Sequence, residues 1–153
     1  MEKDKKYLRL AIEYSRKSAG KKLFPVGALV IKDDEILSSA LSSKFPASHK
    51  HAESESVDKA FEKVKDQLTD CTLYSSMEPC LMCITRAYWV GIRRVVFALS
   101  KKSTKNKYFE GKKDNESMVD EFNQPIKLIH IADLENDALK VVETWEKRGS
   151  FNQ

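Results

Sequence analysis

Apolar residues recur along the chain with two periods, and the period changes from segment to segment. Leu8, Ala11, Ile12 and Ser15 fall at helical spacing in an opening segment that ends near Gly20, which predicts an amphipathic helix. VGALVIK and EILSSALS are β-type runs separated by Asp33 and Asp34. They predict a hairpin, although Asp-Asp is a weaker turn signal than Asp-Gly. In HAESESVDKAFEKVKDQL, Ala52, Ser56, Ala60 and Val64 lie on one stripe with charges elsewhere, giving a second helix. CTLYSS then reads as a strand, PCLMCITRAYWVG as an apolar helix, RRVVFAL and KLIHIA as strands, and LENDALKVVETWEK as a closing helix. Strands that alternate with helices after a hairpin predict an α/β fold, a three-layer α/β/α sandwich around a mixed sheet of about five strands.

The 153 residues suit one compact domain spanning positions 1–153, since no repeat, low-complexity tract or linker divides them. The opening run MEKDKKYLRLAIEYSRK is charged from its second residue and holds no apolar stretch of secretory or membrane length. The expectations are a cytoplasmic location and no membrane partner. The net charge of +4 is too small to argue for nucleic-acid binding from the total. Its distribution adds something: KKSTKNKYFEGKK, positions 101–113, carries six lysines, one glutamate, Tyr108 and Phe109. We read it as a solvated loop whose aromatics dock onto the domain, with a phosphate-holding, base-stacking surface as the alternative.

The three cysteines change the picture more. An odd number in a chain with no export signal argues against a disulfide framework. Cys71, at the start of a β-type run, reads as a small buried hydrophobe. Cys80 and Cys83 stand three positions apart behind Pro79, which suits the first position of a helix. Both thiols then lie on the first turn, where free N–H groups and the helix dipole favour the thiolate that binds metal. By itself C-x-x-C also fits a redox dithiol. His51, at the expected start of the second helix, supplies a third ligand if two helix starts converge on one face of the sheet. Three protein ligands, with the fourth position left to water, are the catalytic rather than the structural pattern for zinc, and zinc lowers the pKa of its water to about 7. Glu53, two residues beyond His51, is placed to take a proton from that water and deliver it to a ring nitrogen and a departing amine.

H-x-E followed by P-C-x-x-C is the signature of zinc-dependent nucleobase deaminases. From about Phe24 to about Leu99 the chain resembles the cytidine and deoxycytidylate deaminase superfamily: PVGALVI looks like its first strand and pocket wall, HAE and EPCLMC its two zinc motifs, RRVVFAL its following strand. EPCLMC and its spacing to RRVVF look closest to the branch of guanine deaminases, tRNA adenosine deaminases and fungal-type cytosine deaminases. The resemblance implies the same sandwich, one Zn2+ per chain and hydrolytic deamination of a base or nucleoside, with a guanine-like purine ahead of a cytosine-like pyrimidine. A tRNA substrate or a non-catalytic zinc-stabilised module are the alternatives.

Substrate contacts are expected from Phe24 and Val26 as an apolar wall, from Ser42, which stands near the position of the branch's usual asparagine, and from Glu78, which holds the loop before Pro79. Tyr88 and Trp89 resemble guanine deaminases, as does an aromatic tail around Phe151, and Trp89 completes the expected substrate set. The loop before His51 looks shorter than in the tRNA enzymes, and their small-residue and serine run is not visible after RRVVFAL. Expected partners are a small base or nucleoside ahead of tRNA, and a second copy of the chain in a homodimer. His49 and Glu55 are the rivals of His51 and Glu53, disfavoured by the H-x-E register. Arg86 reads as paired with an acid rather than as a phosphate ligand, and His130 as a satisfied sheet histidine.

Overall fold

The computed structural model describes residues 2–149. Helix α1 (Glu2–Gly20) leads into the hairpin β1 (Gly27–Lys32) and β2 (Glu35–Leu41). Helix α2 (Ala52–Val64), β3 (Thr72–Met77), α3 (Leu81–Trp89), β4 (Arg94–Leu99), α4 (Asn115–Val119), β5 (Lys127–His130) and α5 (Glu135–Lys147) follow in order. The five strands form one mixed sheet ordered β2-β1-β3-β4-β5, with β1 antiparallel to both neighbours and β3, β4 and β5 mutually parallel. Helices α1 and α5 cover one face and α2 the other, with α3 packed beside α2. This is the expected α/β/α sandwich with a mixed five-stranded sheet. No helix among the described residues is long and apolar enough to cross a membrane.

Local chemistry explains the punctuation. Asp33 and Asp34 both adopt left-handed backbone, with φ of 48° and 63°, which is what a two-residue hairpin turn of matching twist requires. The apolar stripe of α1 is continuous: Leu8, Ala11, Ile12, Ser15 and Ala19 are all buried. Helix α2 stops at Val64 rather than running to Leu68, because Lys65 turns left-handed at φ 57° and its N–H bonds to the Phe61 carbonyl at 2.6 Å. Leu68 is still buried, reached by the loop instead of by the helix. Helix α4 and the single 3-10 turns at Lys101–Ser103, Asn106–Tyr108 and Ala132–Leu134 are additions to the expected elements.

Two features fix how α1 lies on the sheet. Asp4, buried in its first turn, takes both guanidinium arms of Arg94 at 2.8 and 2.5 Å and the Tyr74 hydroxyl at 2.6 Å. The Arg94 guanidinium beside it holds the Asp4 carboxyl below its ordinary range, against the opposing effect of burial. At the other end Gly27 touches the helix: a Cβ there would sit 2.4 Å from Tyr14 Cβ, 2.5 Å from the Ala11 carbonyl oxygen and 2.6 Å from the Ser15 nitrogen. Two of these contacts are backbone, which no rotamer change relieves. Gly27→Ala is therefore expected to cost about 3 kcal/mol, the upper part of the range for overpacking, measured by denaturant unfolding. A variant as stable as the parent would show that α1 is free to lift off β1.

Candidate metal centre

The chain begins two helices at one point. His51 is the N-cap of α2 and Cys80 the N-cap of α3, both with extended backbone, and Cys83 lies fully buried in the first turn of α3. Pro79 accordingly precedes the N-cap instead of opening the helix, a shift of two residues from the sequence expectation that keeps both thiols at the helix start. The His51 Nδ1 lies 3.4 Å from each sulfur, and the two sulfurs are 3.7 Å apart. A tetrahedral zinc with bonds of about 2.3 Å to sulfur and about 2.0 Å to nitrogen separates its ligands by about 3.8 Å for S···S and about 3.5 Å for S···N. The donor set fits that ion without rearrangement. It is the only cluster of metal-type donors among the described residues, and it joins the three ligands the sequence selected.

Neighbouring groups aim the ligands. The His51 Nε2–H donates to the Ser48 carbonyl at 2.8 Å, which turns Nδ1 toward the sulfurs. The Ser54 hydroxyl accepts the His51 backbone N–H at 3.0 Å, fixing the turn into α2. Hydrogen bonds from Cys83 and then from His51 draw the Cys80 thiol down to about 6. Its bond to Cys80 lifts His51 to about 9, and the same pairing, with burial, pushes the Cys83 thiol up. The trio thus already stabilises one thiolate. Glu53 is 4% exposed, and burial pushes its carboxyl up to about 7, with the Cys80 thiolate adding to the rise and His51 opposing it.

His51, Glu53 and Cys80 line a cleft of about 390 Å³. Phe24, Val26, Ser42 and Glu78 line it as well. Trp89 does not. It stands at the far end of α3, 76% exposed, beside Tyr88 and Phe122. Six residues beyond Cys83 a helix has advanced about 9 Å and turned about 240°, which takes the indole away from the metal ligands. Phe151 lies outside the described residues. His49 is exposed at the cleft, away from the donor cluster, and Glu55 accepts from Ser43 at 3.4 Å. Arg86 forks onto Asp58 at 2.7 and 2.8 Å, joining α3 to α2. His130 bonds the Ala98 carbonyl at 2.9 Å and stacks on Phe97, and Cys71 is buried.

Sequence reasoning missed what forms the opposite wall. Tyr108 and Phe109, from the lysine-rich loop, both line the cleft, and Phe24 meets the Tyr108 ring edge-on at 5.0 Å and Trp145 at 5.4 Å. Asn115, 2% exposed, also went unrecognised: its Nδ2 donates to Glu78 at 2.7 Å and to the Pro79 carbonyl at 3.0 Å, while the Lys101 N–H bonds the other Glu78 oxygen at 2.9 Å. Glu78 therefore clamps the loop with its side chain. The one available signal was an aromatic pair inside an otherwise solvated run.

The family model for the cytidine and deoxycytidylate deaminase zinc-binding region matches residues 1–99. A probable cytosine deaminase of Schizosaccharomyces pombe is 35% identical over 104 residues, 67% of this chain and 64% of that protein. A tRNA-specific adenosine deaminase of Aquifex aeolicus is 34% identical over 102 residues, 63% of this chain and 66% of its own. The chain thus spans a little under two thirds of the length of these curated relatives. Among solved structures, a guanine deaminase from Nitrosomonas europaea superposes with a TM-score of 0.79 at 22% identity, over 92% of this chain and 82% of that one, a likeness of fold.

Metal analysis of the purified protein is expected to find about one zinc per chain, the stoichiometry of a mononuclear three-ligand site. Cys83→Ala, which removes a buried donor, should abolish zinc retention; full retention in that variant would sink the ligand assignment.

Proposed function

Because the chain belongs to the cytidine and deoxycytidylate deaminase zinc-binding family, we propose that it hydrolytically deaminates a free nucleobase or nucleoside at the cleft lined by His51, Cys80 and Glu53. The supporting observation is the position of Glu53: a buried carboxyl in the same cleft as two members of a three-donor metal cluster. A zinc-stabilised binding module has no use for that group, since burying a carboxylate is costly wherever it has no chemical task.

In the reaction a water oxygen bonds to the ring carbon that carries the exocyclic amine, the carbon–nitrogen bond breaks, and ammonia leaves. Zinc held by His51, Cys80 and Cys83 would supply the Lewis acid that makes water a nucleophile at neutral pH. Glu53 takes one proton from the attacking water and passes it to the ring nitrogen, then takes the second from the hydroxyl of the tetrahedral adduct and delivers it to the departing amine. Its elevated pKa suits a group that must both accept and return a proton near neutrality. Phe24 and Tyr108, packed edge-on against each other, offer an apolar wall against which a flat ring can lie, and Ser42 also lines the cleft. Holding the ring in this way removes the orientational freedom the reaction would otherwise have to overcome.

A small substrate fits better than tRNA. Lys105 is paired with Glu146 at 3.1 Å and Lys101 donates to the Lys113 carbonyl at 2.7 Å, so these two lysines fasten the loop. The guanine-like preference loses the support of Trp89, which stands away from the cleft, and base class is left to the cleft walls. The tRNA reading draws on the Aquifex relative and on the exposed Lys102 and Lys112. Cytoplasmic location and a homodimer accompany the proposal from the family resemblance.

Two outcomes test it. Glu53→Gln, nearly isosteric and unable to take the proton, should keep its zinc and lose at least about a hundredfold in turnover. An unchanged rate would move the proton transfer elsewhere. Purified protein should release ammonia from guanine, cytosine or their nucleosides, with Lys102→Glu and Lys112→Glu within about twofold of the parent, because a neutral base makes no phosphate contact to lose. If no base or nucleoside were turned over while an RNA stem-loop was, and those reversals destroyed that activity, the tRNA reading would replace this one.

A further inference from the structure

The metal-binding helix lacks its own cap. An N-cap side chain ordinarily accepts one of the free N–H groups of the first turn. In α3 the N-cap is Cys80, whose sulfur is directed to His51 and Cys83, and it makes no capping bond; the first turn also contains no acidic residue. Two N–H groups at the start of the helix that carries both thiol ligands would thus be left to solvent. They are taken instead by one carboxylate from far along the chain: Glu110 Oε1 accepts from Leu81 N–H at 3.2 Å and Oε2 from Met82 N–H at 3.1 Å.

Glu110 is the one acid in the lysine-rich loop, and it is exposed at the cleft. Partial burial alone would raise its carboxyl, but its own N–H, those of Met82 and Leu81, and the Cys80 thiol hold it below the ordinary range. The loop follows β4, is clamped where it starts and ends by Glu78 and Asn115, and carries Tyr108 and Phe109 along the cleft. Glu110 therefore joins the aromatic wall of the cleft to the first turn of the ligand helix.

We propose that Glu110 is a positioning residue for the metal centre, a cap supplied from outside the helix that fixes Cys80 and ties the loop wall to it. The proposal rests on the zinc reading of the donor set. Groups that orient metal ligands typically contribute tenfold to a hundredfold in metal affinity. The test is competition for zinc between the zinc-loaded full chain and a chromogenic chelator, for the parent, Glu110→Ala and Glu110→Gln, with thermal unfolding of each zinc-loaded protein alongside. Glu110→Ala should bind zinc about tenfold more weakly. Glu110→Gln keeps one acceptor oxygen and should fall between Ala and parent, and the unfolding temperatures of the zinc-loaded proteins should fall in the same order, because weaker binding stabilises the folded state less. Zinc affinity equal to the parent's in both variants would overturn the proposal. A parent that takes up no zinc at all would overturn the metal reading itself, and the role of Glu110 with it.

Discussion

The structure depends on one convergence: the first turns of α2 and α3 meet so that His51, Cys80 and Cys83 stand 3.4 to 3.7 Å apart. No stretch of local sequence can produce this, because the imidazole and the thiols are separated by the whole of α2 and β3. It requires α2 and α3 to lie side by side, and their position follows from strand order. Strand β1 runs antiparallel to β3, while β3 and β4 are parallel and end together, so the segments leaving β3 and β4 emerge at the same edge of the sheet. Ligands in open α/β sheets collect at such carboxyl ends. Here one segment leads to Cys80 and the other becomes the loop that walls the cleft.

Using helix starts for ligands has a cost in local stability, and the surrounding residues offset it. Cys80 serves as an N-cap without capping, so the N–H groups behind it require partners from elsewhere. His51 likewise spends its ring on the donor cluster and on Ser48, while Ser54 accepts its backbone N–H. The carboxylates near the site share this work. Glu78 bonds the Lys101 N–H and Asn115, Glu110 bonds the start of α3, and Glu146 accepts from Tyr108 and Lys105. Glu53 is the exception, buried beside the donors. That contrast sets the carboxyl proposed for proton transfer apart from those that hold neighbouring segments in place.

The same arrangement explains how a lysine-rich loop can wall the cleft. Net positive charge along positions 101–113 suggests a solvated or phosphate-binding surface, yet Tyr108 and Phe109 turn inward and Phe24 packs edge-on against Tyr108. Trp145, 2% exposed, backs Phe24 from α5, so the cleft wall is continuous with the core between α5 and the sheet. Lysines of the loop find partners both in carboxylates and on its rings: Lys105 pairs with Glu146, and Lys101 lies over the Phe109 ring at 5.2 Å.

Features governed by a few adjacent residues were legible in the sequence. The stripe of α1, the turn at Asp33 and Asp34 and a helix start just after Pro79, two residues later than expected, follow from side-chain period, backbone tolerance and the fixed φ of proline. The H-x-E register, read through the family resemblance, favoured His51 over His49, and His51 is the histidine the fold brings to the thiols. Tertiary structure alone decided what stands across the cleft. Trp89 shares a helix with the ligands but not their face, a consequence of helical phase. Glu110 and Asn115 reach α3 and Glu78 from positions 29 and 37 residues away in the chain. Nothing local marks them, since a hydrogen bond between distant segments exists only once the sheet has brought the ends of β3 and β4 together.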